Sequence, residues 1–186
     1  IPSFLNYNGY PASICVSLNQ EVVHGIPDKH RIIHEGDIVS LDCGLILEGW
    51  QSDSAVTVGV GTIDPKSRQL IDVTEESFFK GARQAINGNH LGDVGHAIQA
   101  YAESFGYGVI RDLTGHGIGR NMHEDPSVPN YGIPGHGVKL RPGMTIAIEP
   151  MIAMGDYNVS QLEDGWTIVT DDGSLCSHYE HTIAIN

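Results

Sequence analysis

The sequence predicts an α/β (α+β) protein with a pseudo-twofold architecture, in which two similar units face each other. Two observations lead to this prediction. Short segments in which polar and apolar residues alternate lie on both sides of a stretch with helical periodicity. In addition, three short motifs recur in the same order in the two halves of the chain.

The first half is predicted to contain a β-hairpin. Residues 37–42 (DIVSLD) and 53–58 (DSAVTV) alternate as half-buried strands do. The pair Glu48-Gly49 lies midway between them and can form the turn. Strand periodicity then places Asp42 and Asp53 opposite or diagonal to each other across the hairpin, within about 8 Å.

Two helices are predicted next. Apolar residues recur at helical spacing over residues 66–87, and Asn87-Gly88 is expected to end that helix. Asp93 is expected to cap a second helix that ends at Gly106. The apolar stripes of the two helices are Leu70, Val73, Phe78, Ala82, Ala85 and Ile86 in the first, and Val94, Ala97, Ile98, Tyr101 and Phe105 in the second.

Short strands are predicted in the second half over residues 144–149, 166–170 and 180–185. Asp164-Gly165 and the Asp171-Asp172-Gly173 run are typical turn sequences.

The recurring motifs are His-Gly-Ile, then a glycine six residues before an acid, then a second acid that opens a strand. His-Gly-Ile lies at 24–26 and again at 116–118. We therefore expect one catalytic domain over residues 1–186 with repeat halves at about 1–62 and 63–186. The first half has no helix pair before its His-Gly-Ile, which predicts a missing N-terminal helical segment. The acids of the motifs are Asp42, Asp53, Glu149 and Glu180.

Composition excludes several classes of protein. The formal net charge of −13 argues against a nucleic-acid binder, which needs a basic face. No apolar run approaches the roughly 20 residues of a membrane span. The three cysteines are far apart and form no CxxC motif, which favours a reducing compartment over a disulfide framework or a zinc ribbon.

The four motif acids have two interpretations. Each pair can consist of solvated residues at strand edges. Alternatively, Glu149 and Glu180 interrupt apolar strands where an unpaired carboxylate is costly, and two close aspartates repel unless a cation or proton lies between them. Together with His116 the four acids form an oxygen-rich ligand set with one imidazole, which suits two divalent ions with shared carboxylates. No HExxH, GxGxxG, Walker or GxSxG motif is present.

Six motifs carry a resemblance to a known family: NQEVVHGIP (19–27), DIVSLDCG (37–44), the aspartate at 53, TGHGIGRNMHEDPSVPNYG (114–132), GMTIAIEP (143–150) and HYEHT (178–182). By these motifs the chain resembles the methionine aminopeptidases, the type I branch of the pita-bread metallohydrolases, over essentially its whole length. The short span from Glu149 to Glu180 is similar to type I. The resemblance implies a pseudo-twofold antiparallel sheet with helices outside, and a short C-terminal tail beyond Asn186.

The resemblance also implies the roles of site residues. Metal ligands are expected to be Asp42, Asp53, His116, Glu149 and Glu180, which hold two ions of Co, Mn, Fe or Zn. Catalytic groups are expected to be His24, His123 and Glu149, with Glu149 as a proton shuttle and the two histidines in contact with substrate. The methionine pocket is expected to comprise Tyr7, Tyr10, Cys15, Met122 and Trp166. Many relatives have phenylalanine in place of Met122.

The function implied is a metalloexopeptidase that removes the N-terminal methionine of nascent proteins and peptides when the second residue is small. The expected setting is the cytoplasm, or an organellar stroma or matrix, with the enzyme acting as a monomer that contacts the ribosome transiently and binds neither nucleic acid nor membrane. Two alternatives are an Xaa-Pro aminopeptidase or prolidase of the same fold, and a metal-less binding module.

Overall fold

The computed structural model describes residues 1–186 and consists of a large curled sheet, two helices and two small sheets. The strands are β1 (Cys15–Leu18), β2 (Glu21–Val23), β3 (Ile38–Leu47), β4 (Trp50–Gly59), β5 (Gly108–Val109), β6 (Gly115–Gly117), β7 (Glu124–Val128), β8 (Thr145–Ile148), β9 (Met151–Ala153), β10 (Val159–Gln161), β11 (Ile168–Thr170), β12 (Cys176–His178) and β13 (Glu180–Ala184). Seven strands form the large sheet in the order β1-β3-β4-β13-β8-β6-β7, and every pairing in it is antiparallel. The small sheets have the orders β10-β11-β2 and β12-β9-β5.

The predicted hairpin is confirmed as β3 and β4, which pair over their full lengths. Glu48 and Gly49 both have positive φ, 52° and 79°, as a two-residue hairpin turn of matching twist requires. Asp42 pairs with Ala55, and Gly44 pairs with Asp53. The two aspartates are therefore diagonal neighbours on one face.

The first helix, α1, spans Pro65–Ala82 and begins with proline at its first turn and the Asp64 carboxylate accepting from the Lys66 amide at 2.8 Å. The predicted end at residue 87 is wrong. The amides of Gln84 and Ala85 donate three residues back, so tighter turns replace the α-helical ladder after Ala82. Ile86, placed in the apolar stripe by the prediction, is 55% exposed as a result.

The second helix, α2, spans Leu91–Glu103, and its N-cap is His90 rather than the predicted Asp93. Asp93 lies one turn inside the helix, where its carboxylate accepts from the His90 amide at 2.7 Å. Phe105 lies beyond the helix and is exposed, whereas Ala102 takes the buried position at its end. Neither helix has the length and apolar content that a membrane crossing needs.

The predicted strands of the second half are confirmed but shorter. β8 stops at Ile148, since Glu149 precedes Pro150, which has no amide to extend a ladder. β11 begins at Ile168 and β13 ends at Ala184, each inside the predicted range. In the large sheet, β1, β3 and β4 from the first part of the chain lie on one side, and β13, β8, β6 and β7 from the second part lie on the other, as expected for a pseudo-twofold arrangement.

The two faces of the sheet differ in what covers them. On one face, Ile146 and Ile148 of β8 pack with Phe78, Val94 and other residues of the helices in a buried cluster. Burial of each such side chain contributes about 1.5–3 kcal/mol. The same face of β3 and β4 is apolar but exposed at Leu41, Leu45, Val56 and Val58. The expected additional helical segment and the division into repeat halves stay predictions. The opposite face carries the candidate site.

Candidate metal centre

A single cavity on the face of the large sheet opposite the helices contains most of the predicted site residues. It opens between the two halves of the sheet and the N-terminal segment. The side chains that line it are Phe4, Tyr7, Asn8, Tyr10, Cys15, His24, Asp42, Asp53, His116, His123, Glu149, Trp166 and Glu180.

The hairpin contributes two buried aspartates. Asp42 is 9% exposed and Asp53 is 5% exposed, so neither is a solvated residue at a strand edge. Burial, together with the nearby charge of Asp53, holds the pKa of Asp42 well above its usual value. Burial also raises the pKa of Asp53 to about 6. Without a cation, this face of the hairpin resists carrying two negative charges.

The central strands contribute two glutamates. β13 lies between β4 and β8, and this register brings Glu180 beside the hairpin and Glu149, at the end of β8, beside Glu180. The Glu180 side chain is 2% exposed and that of Glu149 is 14% exposed. Burial raises the pKa of both carboxyls, and neighbouring carboxylates, including that of Asp53, raise each pKa further.

The imidazole of His116 completes the set of five predicted ligands. Its Nε2 lies 3.8 Å from Asp53 Oδ2 and 3.6 Å from Glu149 Oε1. Its Nδ1 lies 2.8 Å from the Gly117 carbonyl, which can only accept a hydrogen bond. Nδ1 therefore carries the proton and Nε2 keeps a lone pair toward the acids, as a metal-ligating histidine does.

The donor set fits a divalent cation. One ligand atom each from Asp53, His116 and Glu180 lie within 4.8 Å of one another. Asp42 Oδ1 and Glu180 Oε1 are buried without a hydrogen-bond partner. The ion pairs of these acids involve only histidines, with no lysine or arginine to balance the charge. Oxygen ligands with an imidazole suit Mn, Fe, Co or Zn ions, so these residues could hold such ions.

Two further histidines face the same cavity. His24 is a non-glycine residue in the left-handed region, with φ of 62°, a strained conformation that is typical of functional sites. Burial lowers its pKa. Burial, followed by the charges of His116 and His24, lowers the pKa of His123 to about 4. Both imidazoles are therefore neutral near pH 7 and can donate one hydrogen bond each.

The predicted methionine pocket is formed in part. Tyr10 is 3% exposed, donates to the Gly25 carbonyl at 2.9 Å and packs edge-on against Trp166, with ring centroids 5.1 Å apart. Cys15 pairs with Asp42 in the sheet, and burial raises the pKa of its thiol, which stays neutral and apolar in character. Met122 is buried but does not line the cavity, so its pocket role stays a prediction.

Two residues near the site, His178 and Phe4, were not predicted from the sequence. His178 is 2% exposed, and its Nε2 lies 3.8 Å from Glu149 Oε2 and 3.9 Å from Glu180 Oε2. Neither ring nitrogen has a hydrogen-bond partner, and burial lowers its pKa to about 3. His178 begins the HYEHT motif, two positions before the strand acid Glu180. This spacing was the feature of the sequence that could have identified it. Phe4, by contrast, offered no such signal in the sequence.

The comparisons with known proteins agree with this geometry. The model of metallopeptidase family M24 matches residues 4–186. The chain belongs to metallopeptidase family M24. Metallopeptidases need a bound metal, and the cluster of acids and histidines in this cavity could hold one.

Several M24 relatives are similar over the whole chain. The chain is 60% identical to a protein named methionine aminopeptidase from Clostridium acetobutylicum, covering 100% of this chain and 74% of the relative. It is 51% identical to methionine aminopeptidase 1 of Bacillus subtilis, covering 100% of this chain and 74% of the relative. The crystal structure of methionine aminopeptidase from Thermotoga maritima superposes with a TM-score of 0.98 at 54% identity, covering 100% and 74% of the two chains.

More distant structures share the fold alone. The prolidase from Pyrococcus horikoshii superposes with a TM-score of 0.73 at 24% identity, covering 93% of this chain and 44% of that chain. The predicted pita-bread fold is confirmed by these superpositions.

Proposed function

We propose that the chain is a metal-dependent aminopeptidase that removes the N-terminal methionine of peptides and nascent proteins when the second residue is small. The observation that carries this proposal is the convergence of three buried carboxylates, the partly buried Glu149 and His116 on one cavity. The 60% identity to a protein named methionine aminopeptidase supports the choice of substrate.

The proposed metal centre holds two divalent ions. Asp42, Asp53, His116, Glu149 and Glu180 are the residues that would hold them, and Asp53 lies beside both Asp42 and His116. Elemental analysis of purified protein, reconstituted with Mn, Fe, Co or Zn in turn, would test this. Protein that retains no divalent ion after reconstitution would contradict the proposal.

The side chains divide the chemistry among them. Divalent ions in such a site lower the pKa of a water molecule and polarise the carbonyl of the N-terminal residue. Glu149 accepts the proton of that water on a carboxylate oxygen and returns it to the leaving nitrogen. His24 and His123 donate N–H groups to the carbonyl oxygen and the scissile amide, where charge develops during the reaction.

The cavity wall supports selection of methionine. Tyr10, Cys15, Trp166 and Phe4 present apolar or sulfur surface that suits an unbranched thioether. His24 and His123 crowd the side of the cavity where the second residue of the substrate would lie. A steric clash there discriminates against bulky second residues more strongly than the roughly 1–3 kcal/mol per methylene of a hydrophobic pocket.

Peptide turnover tests the specificity. Met-Ala-Ser and Met-Gly peptides are expected to be cleaved, with Met-Leu, Met-Lys and Leu-Ala peptides cleaved poorly. Equal kcat/KM for Met-Ala and Met-Leu would refute the size selection. Activity confined to Xaa-Pro peptides would support the prolidase alternative instead, although the prolidase likeness extends only to the fold.

The proposed substrates suggest where the enzyme works. We place it where nascent chains emerge, in the cytoplasm or in an organellar stroma or matrix, as a monomer that contacts the ribosome transiently. Light scattering would report the oligomeric state, and co-sedimentation with translating ribosomes would test the contact. A stable dimer would contradict the proposed monomeric state. A failure to associate with ribosomes would contradict the proposed contact.

A further inference from the structure

The N-terminal segment is folded into a tight turn that points Tyr7 into the cavity. Asn6 and Asn8 lie in the left-handed region, with φ of 67° and 49°, and Gly9 has φ of 88°. Non-glycine residues in this region cost free energy, and such conformations persist where surrounding contacts demand them. The amide of Asn6 donates to the Tyr10 carbonyl at 2.9 Å, and that of Tyr10 donates to the Tyr7 carbonyl at 2.9 Å. The Tyr7 backbone is therefore closely constrained.

The side chain of Tyr7 makes one hydrogen bond, and it is to His123. The hydroxyl lies 2.7 Å from His123 Nδ1, and the two ring centroids are 5.4 Å apart. The His123 ring also packs on the ring of His116, with centroids 4.3 Å apart. His123 thus contacts both a proposed metal ligand and the phenol of Tyr7, which lies 116 residues earlier in the chain.

We infer that Tyr7 is a positioning residue for His123, whose imidazole it holds as the tautomer protonated at Nε2 by donating its hydroxyl proton to Nδ1. This inference rests on the proposed function. Tyr7 then has two roles, because it lines the pocket and also acts in catalysis through His123.

The chemistry requires one tautomer rather than the other. A neutral imidazole donates from one nitrogen and accepts at the other. With Nδ1 accepting from Tyr7, Nε2 carries the hydrogen and can donate to the substrate carbonyl oxygen as negative charge develops on it. With the opposite tautomer, Nε2 would present a lone pair to that oxygen and repel it. Loss of an oxyanion donor costs about 10²–10³ in kcat, and loss of tautomer control is expected to cost at least about tenfold.

Tyr7→Phe isolates the hydroxyl, since the ring that lines the cavity remains. With a Met-Ala-Ser peptide and metal-loaded protein, kcat is expected to fall at least about tenfold. KM is expected to stay within about twofold of the wild-type value, and the melting temperature within about 2 °C of it. The matched control is Tyr179→Phe. Its hydroxyl lies 3.2 Å from His181 Nε2, so it removes a Tyr–His contact outside the cavity. The control is expected to keep the wild-type kcat.

A double-mutant cycle separates positioning from a general structural effect. In His123→Gln, an amide nitrogen occupies roughly the place of Nε2 and has no tautomer to control. Tyr7→Phe added to His123→Gln is therefore expected to lower kcat less than twofold further. If both substitutions act fully and additively, Tyr7 does not work through His123 and the inference is overturned.

A spectroscopic measurement decides the tautomer without activity. In protein labelled with ¹⁵N-histidine and loaded with zinc, which is diamagnetic, the His123 signals identified by their loss in His123→Gln are expected to show an unprotonated Nδ1. Tyr7→Phe is expected to show exchange between tautomers. A protonated Nδ1 in wild type, or an unchanged kcat in Tyr7→Phe with an active wild type, would overturn the inference. A wild type that cleaves no methionyl peptide would instead count against the proposed function, and the spectra would still decide the tautomer.

Discussion

Replacing Asp53 with asparagine is expected to stabilise the metal-free protein at high pH. Asp53 is buried, and its pKa is raised to about 6 from an ordinary 3.8. Below pH 3.8 the carboxyl is protonated in both the folded and the unfolded chain. Between pH 3.8 and 6 the unfolded chain releases the proton while the folded chain retains it, so stability falls as pH rises. Above pH 6 the carboxyl is ionised in both the folded and the unfolded chain, so the free energy of unfolding falls no further from this group.

The magnitude follows from the size of the shift. A difference of about 2 pKa units corresponds to about 3 kcal/mol in the free energy of unfolding. Asparagine is neutral at every pH and can keep the oxygen that accepts from the Ser54 amide. In EDTA at pH 8, Asp53→Asn is therefore expected to be about 3 kcal/mol more stable than wild type, a gain of about 6–12 °C in melting temperature for a domain of this size.

Calorimetry of both proteins in EDTA at pH 5 and pH 8 measures the effect. The difference is expected to shrink at pH 5 and to reverse when divalent ions are added, because wild type alone gains the full free energy of metal binding. Asp112→Asn is the matched control, since Asp112 is exposed and forms no ion pair. A variant no more stable than wild type at pH 8 without metal would refute the reasoning.

Three further outcomes are expected. Glu149→Gln should fold and lose at least about 10²-fold in kcat, as for removal of a positioned proton-transfer group, and a near-wild-type kcat in peptide assays would move that role elsewhere. His178→Leu should weaken metal binding about 10–100-fold by titration calorimetry, with His178→Gln weakened less because it keeps an N–H toward Glu149; equal losses would argue against a polar role. Gly117→Ala should lower stability by at least about 1–3 kcal/mol in urea titrations, because a Cβ there would lie 2.3 Å from the Asp125 carbonyl oxygen, and unchanged stability would show that β7 yields.

Local features of the fold were predictable from the sequence. The Glu48-Gly49 turn and the alternation around it placed Asp42 and Asp53 as diagonal neighbours, because side-chain alternation and turn chemistry act over a few residues. The second helix was predicted from its apolar stripe, but its cap was misplaced by three residues because Asp93 can act either as the N-cap or from inside the first turn. The end of α1 was missed because Ala85 reaches the core through tighter turns.

Contacts across the sheet were decided by tertiary structure. Which residue types bear the chemistry was predictable from the sequence, since a buried acid in a strand has few other uses. The meeting of Glu180 with the hairpin depends on β13 pairing with β4, more than 120 residues earlier in the chain. The contact of Tyr7 with His123 and the position of His178 between two glutamates likewise depend on how separate segments of the chain pack together. Met122 is buried and is not among the residues that line the cavity, and its role in the pocket stays a prediction. Such distances are set by the register and packing of distant strands, which no short sequence pattern encodes.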